Sequence, residues 1–352
     1  MKIGFHTNGL SLRGTEVALY DYALHNQALL GNESTIFYRL NGSVNQPVFD
    51  KFAKHFKMTP YEGQKQLNLL IERERIDLAY FIKSGERDDA ICEAAPSLIH
   101  AVFPTQPQEF HGDKYAFVSE WLSKEYSNNQ VPFVPHMVTL PEHEENLRSE
   151  LAIHESSTVL GCYGGADSFN LEFVQKEVIL ALEKRSDLHF LFMNITPFAK
   201  HERILFLPGN ADLMYKVKFI NTCDGMIHAR GIGESFGLAC GEFSLKRKPV
   251  ITYSMSPQRS HIDILGDKAL LYRSSKELAL ILMDFNRQTK TQKNWDAYSE
   301  SFSPKSVMHH FNSVFIHGKD RKDILISSFD RAVMQKYRFA RKLRNLQKKL
   351  HL

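Results

Sequence analysis

CDGMIHARGIGESFGLACGEFSLKRKPVITY, residues 223–253, decides the architecture of this chain. It opens on a short apolar run at 225–229 and closes on a second one at 249–253. Both read as strands. Between them lie a glycine-rich turn and a helix that the pattern starts near Ser235. The first N–H groups of a helix have no intrahelical acceptor, and the macrodipole there favours negative charge. Placed beyond the carboxyl end of a strand, such a helix start is an anion site. Gly237 leaves its backbone uncovered, so a phosphate can approach. Glu234 precedes the helix and Glu242 lies on its second turn, so the two carboxylates can reach different parts of one elongated ligand. An anion cradle beside two hydroxyl-binding acids describes a site for a sugar nucleotide.

The flanking sequence supplies a scaffold of the same kind. Residues 2–8 read as a strand, 9–14 as a turn and 15–30 as a helix. The pattern predicts a buried side of Val17, Leu19, Tyr20, Ala23, Leu24 and Ala28 for that helix. Gly31-Asn32 stops it, and 34–40 is a second strand. This βαβ opening predicts a parallel sheet with a ligand crevice at the strand carboxyl ends. Strand patterns recur at 78–82, 97–103 and 115–118. VPFVPHMVTLP, 131–141, is extended by its prolines, and 142–150 is densely charged, so this region reads as an interdomain connection. Strands then follow at 157–163, 188–194 and 203–206, with helices at 170–183 and 211–221. Gly164-Gly165 sits at the first of these strand-to-helix turns and permits close approach of a pyrophosphate. Beyond the central stretch come a loop and short helix at 254–265, a strand at 269–272 and helices at 276–286 and 289–299. A last helix starts at Ser303-Pro304 and runs to about residue 316.

Composition narrows the class further. The 352 residues, 43% of them apolar, fit two medium domains. No run approaches the roughly 18 apolar residues of a membrane span. MKIGFHTNGL enters a strand directly, without a signal-peptide layout, so a cytoplasmic location is expected. Cys92, Cys162, Cys223 and Cys240 are scattered and read as reduced packing residues. No spaced pair of aspartates suggests a metal site; Asp88 and Asp89 are adjacent. The net charge of +4 is unevenly placed, since Arg331, Lys336, Arg338, Arg341, Lys342, Arg344, Lys348 and Lys349 crowd a tail free of acids. With Phe339, Leu343, Leu346 and Leu350 on one face, a helix over 331–352 can lie on an anionic membrane surface, associate with a partner helix, or contact nucleic acid.

The central stretch resembles a known motif. E-S-F-G-L-A-C-G-E followed by K-P-V-I is similar to the E-x7-E motif of retaining glycosyltransferases of the GT-B fold, family-4 type, usually E-G-F-G-L-x-x-x-E before a K-P-V-I strand. The resemblance implies an α/β chain with two doubly wound Rossmann-like domains facing a central cleft. It places an acceptor domain over 1–140, a nucleotide-sugar domain over 141–302 and a crossover helix over 303–318, which leaves 319–352 to the basic helix. It implies a hexosyltransferase that moves sugar, with retention, from a nucleotide-diphosphate sugar to a glycan, lipid-linked or other hydroxyl acceptor. The donor would be a UDP- or GDP-sugar, with no further cofactor and no metal.

Residue by residue, the resemblance assigns Glu234 to the hydroxyls of the donor sugar and Glu242 to those of the ribose. Ser235, Phe236, Gly237, Leu238 and the Gly164-Gly165 turn would surround the diphosphate. Gly14 stands in the family's G-G-x-E turn, with Arg13 replacing the other glycine. His100, late in its strand, stands where the family has an active-site histidine, and Lys83 ends a strand from which it could meet phosphate or acceptor. The nucleotide base would be gripped within 193–208. One departure matters. Where the family carries an arginine and a lysine for the diphosphate, this chain has Cys162 and Ser168. Either a nearby base such as Arg230 supplies the charge, or turnover is impaired, or the protein binds a sugar nucleotide without turning it over. A glycosyltransferase acting on nucleic acid is a further alternative, which the basic tail permits.

Overall fold

The computed structural model describes residues 1–321; the basic helix read at 331–352 lies outside the described residues. The chain divides into two compact units. One contains Met1–Ser11, Thr15–Met137 and the chain from Pro304 onward; the other contains Leu12–Gly14 and Val138–Ser303.

The first unit runs β1 (Lys2–Thr7), α1 (Gly14–Leu30), β2 (Glu33–Arg39), α2 (Gln46–Ala53), β3 (Lys57–Tyr61), α3 (Gln64–Arg73), β4 (Leu78–Lys83), β5 (Ser97–Ala101), β6 (Lys114–Phe117) and α4 (Glu120–Ser127). Its six strands order as β3-β2-β1-β4-β5-β6. Every pairing is parallel. Parallel sheets are covered on both faces, which is why β5 is buried along its whole length. The sequence reading names none of α2, β3 and α3. Pro60 argues against a strand at 57–61, yet β3 is the sheet's edge, where a missing N–H is tolerated. Helix α2 joins a cap to an apolar pair: Asn45 accepts from the Val48 N–H, Pro47 occupies the first turn, and Val48 and Phe52 are buried one turn apart.

The second unit runs β7 (Thr158–Tyr163), α5 (Glu172–Lys184), β8 (Leu188–Met193), β9 (Ile204–Leu207), α6 (Leu213–Thr222), β10 (Gly225–His228), β11 (Gly233–Glu234), α7 (Leu238–Leu245), β12 (Val250–Tyr253), β13 (Gln258–Arg259), α8 (Ser260–Leu265), β14 (Ala269–Tyr272) and α9 (Ser275–Asp284). Six strands again make one parallel sheet, ordered β14-β12-β10-β7-β8-β9. Both sheets have the same Rossmann-like order. The direction of winding reverses between β1 and β4 in the first and between β7 and β10 in the second.

Two features differ from the sequence reading. The charged stretch 142–150 is not a plain solvated connection. Arg148 is 3% exposed and donates to the Ser157 carbonyl and to Asp224 Oδ2, both at 2.9 Å, so it anchors the start of the second unit. The helix expected at 289–299 reduces to a single 3-10 turn at Thr289–Thr291. Trp295 is the cause: it is buried, its indole N–H donates to the Thr289 carbonyl at 3.1 Å, and its own carbonyl accepts from Ser244 at 2.8 Å. Tertiary anchoring of one aromatic overrides a weak helical pattern. Finally, the chain returns to the first unit as α10 (Pro304–Phe311) and a π-helical turn, Asn312–Ile316. Phe311 and Phe315 pack there against Tyr80 at ring separations of 5.4 and 5.5 Å.

Candidate functional site

In the second unit, two loops leave the sheet where the strand order reverses, one after β7 and one after β10. Open α/β sheets bind ligands at that point. Hydrogen bonds tie the loops together. The Gly231 N–H donates to Asn170 Oδ1 at 2.8 Å, and the Asn170 N–H donates to the Ala229 carbonyl at 3.0 Å. Asn194, just past β8, donates its side-chain amide to the Gly164 carbonyl at 2.6 Å. The exposed Gly165 and half-buried Gly164 are therefore held beside the Arg230–Gly233 turn.

Helix α7 starts at Leu238, later than the Ser235 start that the pattern suggests. Glu234 is committed elsewhere: with Gly233 it forms β11, paired in parallel with β13, Glu234 opposite Arg259. Gly237 then turns the chain into the helix at φ 96°, in the left-handed region. A Cβ at Gly237 would lie 2.7 Å from the Cβ of His261, so only glycine fits. As an N-cap it offers no side-chain acceptor, and the N–H groups of the first turn of α7 are left to a ligand or solvent at this end. Ser235 and Leu238 are half-buried at the turn. Phe236 is not part of that surface: its ring is 3% exposed and packs edge-on against Phe302 at 5.3 Å.

Both motif acids carry internal donors. Glu234 Oε2 accepts from Arg230 at 2.9 Å, and Oε1 lies 3.2 Å from His228 Nε2. Burial would raise the Glu234 carboxyl, but the His228 hydrogen bond and the Arg230 charge outweigh it and bring the pKa down to about 2. Glu242 projects inward from α7 and is 5% exposed. Lys216, on α6, approaches its Oε1 to 2.9 Å, and the Tyr163 hydroxyl, at the end of β7, donates to Oε2.

The remaining residues singled out in the sequence fall as follows. Arg230 is brought to the site, but as the ion-pair partner of Glu234. Gly14 is exposed and opens α1. His100 is a correction. It is 0% exposed in the first unit, with Nδ1 at 2.6 Å from the Tyr80 hydroxyl and Nε2 at 2.8 Å from the Val134 carbonyl. Burial lowers its pKa to about 3, so it is a neutral core histidine with both ring nitrogens engaged. Lys83 is likewise enclosed, paired with Asp88 and donating to the Ala90 carbonyl at 3.0 Å. Cys162 is buried within β7, where burial pushes its thiol far up and keeps it neutral; a thiol has no cationic form with which to meet a phosphate. Ser168 closes the glycine turn, its N–H donating to the Gly165 carbonyl at 2.9 Å. Among the described residues no three His, Cys, Asp or Glu side chains gather as a metal-ligand set.

The structure adds residues that the motif does not name: Lys216, Tyr163, His228, Thr252 and His261. Tyr163 and His228 end adjacent strands, so their position at the crevice was open to inference from the strand pattern. Lys216 had no such signal, since a lone lysine on a helix is ordinarily solvated.

No protein-family model and no curated protein sequence matches this chain. Solved structures do. HepE of Anabaena, crystallised with UDP-glucose, superposes with a TM-score of 0.66 at 15% identity, covering 90% of this chain and 100% of that one. Sucrose-phosphate synthase of Thermosynechococcus elongatus gives a TM-score of 0.64 at 12% identity, over 90% and 98% of the two chains. A Listeria monocytogenes protein assigned as a UDP-N-acetylglucosamine 2-epimerase gives 0.59 at 14% identity, over 90% and 97%. At such identities the likeness speaks for the backbone. Two parallel sheets of the same winding, each matched across nearly whole chains, establish that this protein has the GT-B fold.

Proposed function

We propose that the protein is a retaining glycosyltransferase that takes its sugar from a nucleotide-diphosphate donor bound on the second unit. One arrangement carries the reading. Glu234 and Glu242 flank a side-chain-free helix start at the strand-order reversal, with the Gly164-Gly165 turn tied alongside. The likeness to HepE, solved with UDP-glucose, supports a nucleotide sugar as the donor, in this reading a UDP- or GDP-sugar.

In this reading the N–H groups opening α7 and the glycine turn hold the diphosphate. An ionised carboxylate offers about four lone-pair positions. Glu234 keeps capacity for sugar hydroxyls beyond those used by His228 and Arg230, and Glu242 is assigned to the ribose. The acceptor oxygen attacks the anomeric carbon as its bond to the phosphate oxygen breaks, and the departing phosphate takes the acceptor's proton. Stabilising the negative charge on that diphosphate is the main catalytic lever. Arg230, beside the glycine turns, supplies positive charge there without a metal. The acceptor is a glycan or lipid-linked hydroxyl.

Titration calorimetry with UDP-, GDP- and ADP-sugars, joined to a nucleotide-release assay, tests the reading. One nucleotide sugar that binds and slowly releases nucleotide supports it. Release of a C2-epimer instead would place the protein with the epimerase of the same fold. A specific observation favours a second reading, binding without turnover: Cys162 is buried and uncharged where the family places a base. Tight binding with no release, even with acceptors added, would select it.

A further inference from the structure

A chain of polar side chains runs through the second unit behind Glu234 and ends on its carboxylate. His261, on α8, is 0% exposed, and its Nε2 lies 3.0 Å from Thr252 Oγ1. Thr252, on β12 and also 0% exposed, lies 2.9 Å from His228 Nδ1. His228 Nε2 then faces Glu234 Oε1 at 3.2 Å. The two imidazoles stand edge to face with centroids 4.9 Å apart.

The proton positions follow from what each end can accept. Glu234 is ionised and only accepts, so His228 presents an N–H at Nε2. His261 is neutral, burial holding its pKa down to about 3. Its single ring proton sits either on Nε2, facing Thr252, or on Nδ1, which is buried without a hydrogen-bond partner. A buried N–H left unmet is rarer and costlier than an unmet lone pair. The proton therefore sits on Nε2 and is donated to Thr252. Thr252 could accept from both rings, but its own buried hydrogen would then go unmet; donated to His228 Nδ1 it is satisfied, which makes that nitrogen an acceptor. Hydrogen bonds run one way, from His261 through Thr252 and His228 to Glu234.

We propose that His228 is the positioning residue of Glu234, locked in a single neutral tautomer by Thr252 and His261 so that the carboxylate is aimed at the hydroxyls of the donor sugar. The role rests on the glycosyltransferase reading above. It differs from that of Arg230, which supplies charge: the relay supplies direction, and it contributes nothing to nucleotide binding itself.

Two measurements test it. The first compares the affinity of the nucleotide sugar with that of its free nucleoside diphosphate in wild type, Thr252→Val and Thr252→Ser. The relay predicts that Thr252→Val weakens the sugar nucleotide about five- to tenfold, leaves the free diphosphate unchanged, and is rescued by Thr252→Ser. An unchanged ratio in Thr252→Val, or equal loss for both ligands, overturns the role. The second needs no ligand and reads the wild-type protein, whatever becomes of the Thr252 variants. Long-range nitrogen–proton NMR of wild type, with His228→Gln and His261→Gln for assignment, reads the tautomers near neutral pH. Both rings should carry their proton on Nε2. An Nδ1–H or charged His228 overturns the proposal whatever the ligand results. Wild type that binds no sugar nucleotide, with both tautomers as stated, would instead discard the glycosyltransferase reading.

Discussion

Lys216 and Glu242 meet at 2.9 Å, ammonium to carboxylate, with side chains 14% and 6% exposed. The Tyr163 hydroxyl holds the other oxygen of the same carboxylate. Removing one member of an enclosed ion pair leaves an uncompensated charge, which costs about 3 kcal/mol, whereas replacing both with apolar groups is close to neutral. Glu242→Ala and Lys216→Met should therefore each lower the urea midpoint, and Glu242→Leu with Lys216→Met should recover most of it. Calorimetry separates stability from function here. Nucleotide binding should stay lost in the double variant, because the ribose acid is gone. Recovery of binding with the double variant would remove Glu242 from the site.

Gly237→Ala tests the entry into α7. The left-handed φ of 96° and the 2.7 Å approach to the His261 Cβ both oppose a side chain. The backbone term alone is about 1 kcal/mol, and the overlap adds to it. Donor affinity should fall along with stability, since the helix start that faces the phosphate must move. A variant as stable as wild type by thermal melting would contradict the geometry.

Much of this was legible in advance, for reasons visible in particular residues. The spacing of Glu234 and Glu242 and the two glycine turns are local, and the strands around them are apolar runs bounded by turns. His100 was misread because a strand pattern shows where a residue lies along the chain but not which neighbours enclose it. Tyr80 and Val134, which satisfy its two nitrogens, come from a neighbouring strand and a distant loop. Lys216, Thr252 and His261 were invisible for the same reason, since their roles arise only when α6, β12 and α8 pack around α7 and β10. The late start of α7 depends on β13, a two-residue strand with no apolar pattern to announce it.

His100→Leu follows from that correction. The substitution should lower stability by about 2 kcal/mol or more, through the Tyr80 hydroxyl and Val134 carbonyl left unmet. In the folded fraction the affinity for a nucleotide sugar should be unchanged. A variant of full stability that loses turnover would restore the histidine to the chemistry.

Stability should also fall in mild acid. Burial holds His6, His100 and His261 neutral, with pKa values lowered from 6.5 to about 3. Between those values the unfolded chain binds protons that the folded one excludes, so their contribution is intact above about pH 7 and is lost as pH falls through that window. Glu234, lowered from 4.5 to about 2, extends the loss in the same direction further into acid. Urea midpoints measured at about pH 7.5 and about pH 5 should differ, the acid one lower. A flat profile would mean that these imidazoles become charged without unfolding the protein.

All four cysteines are unpaired and enclosed, Cys92 in one unit and Cys162, Cys223 and Cys240 in the other. Burial pushes every one of these thiols above its ordinary value, so reaction with a disulfide reagent has to wait for the surrounding structure to open. The molecule thus carries a stopwatch in each half: the rate at which Cys92 is modified times the opening of the first unit, and the other three time the second. A donor that seats on the second unit would slow one clock and leave the other running.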